Sequence, residues 1–133
     1  MVHQQMTLSE PCGRCGSMGY VSHAHRSHGG LSRYSEHFVC ERCGSATHAD
    51  GDHPPELVRR AFLERDGTWE LCLTTSDAVA AARVLADARG LTLREALTVA
   101  KGGVVASGTR VEVACVAERL AACDVPTAVR RVR

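Results

Sequence analysis

Lysine is almost missing from this chain. Lys101 is the only one, and arginine supplies the rest of the basic residues; we read this as coding bias. Aromatic residues are also scarce, at 4%, which leaves few platforms for stacking bases or sugars. Neither sign of charge dominates: 16 Lys and Arg stand against 15 Asp and Glu, a formal net charge of +1. Such a balance does not suit a protein that wraps nucleic acid or lies on a membrane surface. No apolar run approaches the roughly 20 residues of a membrane span. Met1 to Glu10 is polar and lacks the apolar core of a signal peptide. A cytoplasmic protein that engages no membrane is expected.

Cysteine, by contrast, is plentiful. Of seven, four sit in paired C-x-x-C motifs, and Cys72, Cys115 and Cys123 stand alone. An odd count with two such pairs suits a reducing compartment and a metal better than a disulfide framework. At 133 residues the chain fits one ordinary domain or two small ones. A domain near 60 residues buries little apolar surface, so if the chain splits in two, one half should need a staple.

The chemistry changes sharply along the chain. All seven histidines and all four paired cysteines fall in the first 53 residues. From Pro54 onward the sequence is rich in Ala, Val, Leu and Arg with helical periodicity. The turn-rich stretch from His48 to Pro55 marks the break. We therefore expect an α+β chain in three parts: a small β zinc ribbon over 1–53, a connecting helix over 54–67, and an α+β domain with an antiparallel sheet over 68–133.

In the first part Met18 to His25 and Arg33 to Cys40 are predicted as paired strands, joined by a Ser27-His-Gly-Gly30 loop. Pro54 and Pro55 fit the first turn of a helix, where a missing N–H costs nothing. Leu57, Val58, Ala61 and Phe62 mark its one face, and Gly67 ends it. Thr68 to Thr74 alternates as a half-buried strand with Trp69, Leu71 and Leu73 on one side. Thr75 or Ser76 caps a helix running to Arg89, stopped by Gly90. Thr92-Leu-Arg-Glu95 and Thr109-Arg-Val-Glu112 are capping boxes that open two more helices. The second of these carries Val113, Val116, Ala117 and Leu120 on one side. Val104 to Ser107 and Val125 to Val132 are short strands, and Pro126 puts the last at an edge or marks its start. The order from Thr68 is β-α-α-β-α-β.

Cys12-Gly-Arg-Cys15-Gly16 and Cys40-Glu-Arg-Cys43-Gly44 are two knuckles of one kind. Each places two thiols on a tight turn, and the following Gly permits backbone angles that other residues resist. Two converging knuckles give a tetrahedral four-thiolate site, which points to one structural Zn²⁺ held by Cys12, Cys15, Cys40 and Cys43. Iron is the alternative ion for such a site. A redox dithiol would be expected beside a βαβ pattern, and neither pair is. A site closed by four thiolates leaves no position for water, so the metal would staple the fold and not catalyse.

The histidines admit three readings. His23-Ala-His25 puts two imidazoles on one strand face, His28 lies just beyond, and His37 faces them across the hairpin. They could form a second, weaker metal site or a pH-sensitive binding loop. The reading preferred here is an exposed polar hairpin, because no carboxylate partner is evident. For nucleic acid, Tyr20, Tyr34 and Phe38 are the available stacking residues. The first 55 residues carry four arginines against five acidic residues, so the phosphate term that dominates such affinity is missing. A protein partner is the expected one, and a nucleic-acid-associated regulator is the alternative.

Gly90-Leu-Thr-Leu-Arg-Glu-Ala96, followed by Gly108 and a short final strand, is similar to a turn motif of the bacterial ribosomal stalk protein. Trp69 to Arg131 resembles the C-terminal domain of that family, which has the same β-α-α-β-α-β order. The fold also resembles that of the adaptor that delivers substrates to the Clp protease. The stalk resemblance implies docking of translation GTPases through the first two helices and the turn between them. Carried over by position, that partner surface is Val79, Ala82, Arg83, Ala86, Thr92, Arg94 and Glu95. Cys72, Cys115 and Cys123 fit small core residues better than nucleophiles, as no histidine lies in this half to activate one. With no acid/base pair, open metal position or Gly-rich phosphate loop, no enzyme and no small-molecule substrate are expected. The resulting expectation is a non-enzymatic, zinc-binding adaptor acting in translation or regulated proteolysis.

Overall fold

A computed structural model describes residues 1–132. It contains two antiparallel sheets and four helices. The first sheet is a meander of β1 (His3–Pro11), β2 (Met18–His28), β3 (Leu31–Val39) and β4 (Ala46–Gly51), in that spatial order. After α1 (Glu56–Asp66), the chain continues as β5 (Trp69–Leu73), α2 (Ala78–Arg89), α3 (Leu93–Lys101), β6 (Val104–Gly108), α4 (Arg110–Ala122) and β7 (Thr127–Arg131). The second sheet has the order β6-β5-β7. The α+β class and the β-α-α-β-α-β order are as expected. Among the described residues no helix is long and apolar enough to cross a membrane.

Strands β1 and β4 were not expected. His48 to Gly51, which reads as turn, is the pairing partner of Tyr34 to His37. The β2–β3 hairpin is also tighter than the predicted Ser27–Gly30 loop. Both strands run up to a two-residue turn, Gly29-Gly30, whose φ angles of 58° and 82° belong to the tight hairpin turn that glycine favours. Gly30 is doubly constrained, since a Cβ there would lie 2.2 Å from Cγ of Arg119.

The two sheets are held by different cores. The second unit has an aliphatic one: Leu71, Leu85, Val105, Val113 and Leu120 are fully buried, with Trp69, Leu73, Val116 and Ala117 packed around them. The first sheet has a much smaller cluster of Met6, Tyr34, Val58 and Phe62. Val58 and Phe62 reach it from α1 at i and i+4, one helical face. Leu57 does not share that face and is 79% exposed, contrary to expectation.

Both capping boxes form. Thr92 accepts from the Glu95 N–H and Thr109 from the Glu112 N–H, and each glutamate reaches back to its threonine N–H. The cap of α2 is Asp77, which accepts from Ala80 N–H at 3.1 Å, not Thr75 or Ser76. Strand β7 starts after Pro126 at a sheet edge, where a missing N–H is tolerated. Two edge strands carry an arginine on a backbone carbonyl: Arg65 donates to Gln5 O on β1, and Arg89 to Val105 O on β6.

Helix α4 joins the two units by packing on the second sheet and on β1, β2 and β3. Its Glu118 accepts from Ser27 Oγ at 2.6 Å and from Gly30 N–H at 3.0 Å. At its other end Gln4 accepts from Val111 N–H and donates to Asp66. Glu112 binds Arg59 of α1 through both carboxylate oxygens, at 2.6 and 3.1 Å.

Candidate metal centre

The β1–β2 and β3–β4 turns lie at the same end of the first sheet, and each is one cysteine knuckle. Their backbones match bond for bond. Gly16 N–H donates to Cys12 O at 2.8 Å, and Gly44 N–H to Cys40 O at 2.9 Å. Cys12 N–H donates to Ser17 O at 2.7 Å, and Cys40 N–H to Ser45 O at 2.8 Å. Gly16 and Gly44 have φ of 75° and 74°, angles that strain any residue with a Cβ. The repeated C-x-x-C-G-S sequence therefore folds into the same turn twice.

The turns bring Sγ of Cys12, Cys15, Cys40 and Cys43 to within 4.8 Å of one another. The closest pairs cross between knuckles: Cys12 to Cys43 at 3.7 Å and Cys15 to Cys40 at 3.6 Å. These gaps are far longer than the roughly 2.05 Å of a disulfide. They match the edge of about 3.8 Å that four sulfurs at ~2.3 Å from a tetrahedral zinc would define. The cluster can hold one metal ion, with Cys12 and Cys40 buried and Cys15 and Cys43 exposed.

Backbone N–H groups prepare some of these sulfurs for the thiolate form. Those of Cys15 and Arg14 lower Cys12 to about 6, against the effect of burial. Ser17 lowers Cys15 through its backbone and then its hydroxyl. Ser45 N–H pulls Cys43 down, but burial and its three neighbouring sulfurs together push it up to about 11. A cation at the centre would neutralise that crowding of sulfurs, because only thiolates bind it and each one formed raises the next.

The histidines behave differently from expectation. His23 and His25 are among the most buried side chains, on the inner face of β2. His28 and His37 lie on the outer face, and His37 meets His48 edge-on at 6.1 Å. The four do not converge, and among the described residues no other set of three metal-donor side chains does. The preferred reading, an exposed hairpin, is thus overturned for His23 and His25, which form part of the core. The carboxylate not apparent from the sequence is Glu36, cross-strand from His23 and 3.8 Å from its Nδ1. Of the possible stacking residues only Tyr20 is exposed; Tyr34 is buried and Phe38 half-buried on the inner face.

The partner surface carried over from the stalk resemblance is only partly a surface. Val79, Arg83, Thr92, Arg94 and Glu95 are exposed on the α2–α3 hairpin, and Ala86 is half-buried. Ala82 is fully buried and belongs to the aliphatic core. Thr92 and Glu95 are tied to each other in the cap, and that Thr92 backbone bond holds Glu95 below the usual carboxylate range. Leu93, 57% exposed at the start of α3, was not singled out, although the capping box places it at the first helical position. Cys72 and Cys115 are half-buried, while Cys123 is exposed at the end of α4, contrary to its expected core role.

Comparison with family models, curated proteins and solved structures returns no match.

Proposed function

We propose that the protein is a non-enzymatic adaptor whose four-cysteine cluster holds one structural zinc ion and whose α2–α3 hairpin docks a protein partner. The observation that carries this reading is the convergence of four sulfurs to within 4.8 Å of one another, with cross-knuckle pairs at 3.6 and 3.7 Å. With all positions taken by thiolates, such an ion has none left for a substrate or a water nucleophile. Its work is to hold the two hairpin turns together. The half-buried Cys115 supports the non-enzymatic reading, since burial pushes its thiol up to about 11 and away from the reactive thiolate.

The docking part rests on the exposed Val79 and Leu93 with Arg83 and Arg94 on one helix hairpin, and on the stalk-like motif from Gly90 to Ala96. Translation or regulated proteolysis is the setting that the resemblance suggests. Affinity capture from the native cell with wild type, Arg94→Glu and Arg83→Glu tests it. Loss of the same partner from both variants is the expected result, and equal recovery by all three removes this surface from consideration. Metal analysis should return one zinc per chain. Binding to nonspecific DNA and RNA should be weak; a tight interaction that falls steeply with salt would favour a nucleic-acid role instead.

A further inference from the structure

His23 and His25 sit two residues apart on one strand face, fully enclosed, and their hydroxyl partners determine where each proton lies. Ser32 Oγ donates its single proton to Asp52 O at 2.6 Å. It must therefore accept from His25 Nε2, also at 2.6 Å, so neutral His25 carries its proton on Nε2. Its Nδ1 is a bare lone pair, buried and without a hydrogen-bond partner among the described residues. By the same logic Tyr34 O–H donates to Glu36 at 2.8 Å and accepts from His23 Nδ1 at 2.7 Å. Nε2 of His23 is then the bare, buried nitrogen.

The two differ in what surrounds them. His23 has the Glu36 carboxylate 3.8 Å from its ring. For His25, β1 offers the uncharged Gln4 across the strand, already committed to Val111 and Asp66. Strand β3 offers Tyr34 and Ser32, and the loop beyond β4 offers the Asp52 carbonyl and His53. The Phe62 ring of α1 lies 6.4 Å away. The facing carboxylate is Glu112 of α4, whose two oxygens are taken by Arg59 of α1 and by Thr109 N–H.

We propose that His25 is an acid-sensitive pin in the seam between the metal-bearing sheet and helices α1 and α4. A proton on Nδ1 would place an unpaired charge there and loosen the seam. Burial already holds the imidazole down at about 4; Glu112 opposes this and His53 adds to it. Because the folded value lies below the unfolded value of about 6.5, the stabilisation is complete above that pH and is lost as pH falls toward about 4. The bonds at risk are those spanning the seam, Glu118 to Ser27 and Gly30, and Gln4 to Val111. Acid would thus free the metal-bearing sheet from the helices before the aliphatic core of the second unit yields.

The test is urea unfolding of the full, metal-loaded chain between pH 8 and 5.5, with metal content measured at each pH. Below about pH 6.5 the folding constant of wild type should fall by up to tenfold per pH unit more than that of His25→Gln. The glutamine amide can still donate to Ser32 but cannot take a charge. Parallel profiles for wild type and His25→Gln would overturn the proposal. Should His25→Gln not fold, ring NMR on wild type decides. An Nε2–H tautomer that stays neutral to pH 5.5, with Gly30 and Val111 amides exchanging faster in acid after correction for intrinsic rates, is expected. An imidazole that titrates near 6.5 sinks the idea.

Discussion

The two sheets of this molecule are of similar construction and are held together by opposite means. The three-stranded sheet rests on aliphatic side chains from three helices. The four-stranded sheet has two more buried histidines than buried leucines on its inner face, a small apolar cluster, and four sulfurs gathered at one end. Burial of aliphatic surface involves no proton and no metal ligand, so it does not respond directly to pH or metal supply. A core of imidazoles, hydroxyls and thiolates depends on protonation and on metal supply. On the readings proposed above one half is conditional and the other is not, and α4 packs on both.

Several experiments would break or sharpen that contrast. Metal removal should have the largest effect, because a structural zinc contributes roughly 10–16 kcal/mol of apparent binding free energy. Under a strong chelator the amide resonances of residues 1–53 should collapse toward random-coil positions while those of the second sheet stay dispersed. If the first sheet remains dispersed without metal, its cysteines are not its staple. Leu85→Ala, deep in the aliphatic core, should cost about 2–5 kcal/mol in denaturant melts without changing zinc content. Gly30→Ala puts a methyl group on Arg119 at a left-handed backbone position and should cost about 1–3 kcal/mol. It should also speed exchange of the amides that face α4. Smallest are the caps. Thr109→Ala should cost about 1 kcal/mol, and Thr92→Ala less within the range of about 0.5–2, since Thr109 is buried and Thr92 exposed. Equal losses would mean that burial adds nothing to a capping box.

The features that were readable in advance are those set by neighbours in sequence. The capping boxes at Thr92 and Thr109 need only four residues each, and both formed. The knuckles need six, and both closed. What escaped depends on distant chain. Strand β4, Ala46 to Gly51, has no apolar alternation and exists because β3 offers it an edge. His23 and His25 look like surface residues until α1 and α4 cover them, 30 residues and more downstream. Ala82 looks like surface in an alignment of motifs, yet the turn of α2 directs it inward. Asp77 competes with Thr75 and Ser76 for the cap, and three adjacent polar residues give no local means of choosing among them.

The arginines on the outer strands concern the behaviour of many copies together. A sheet that ends in unfilled backbone groups is a template on which a second chain can grow. Arg65 on the Gln5 carbonyl and Arg89 on the Val105 carbonyl place a charged, bulky side chain across that template, once on each sheet. Crowded solutions of this protein should therefore resist stacking along β1 and β6. Losing either guanidinium should show first as turbidity on concentration, before any change in the melting curve.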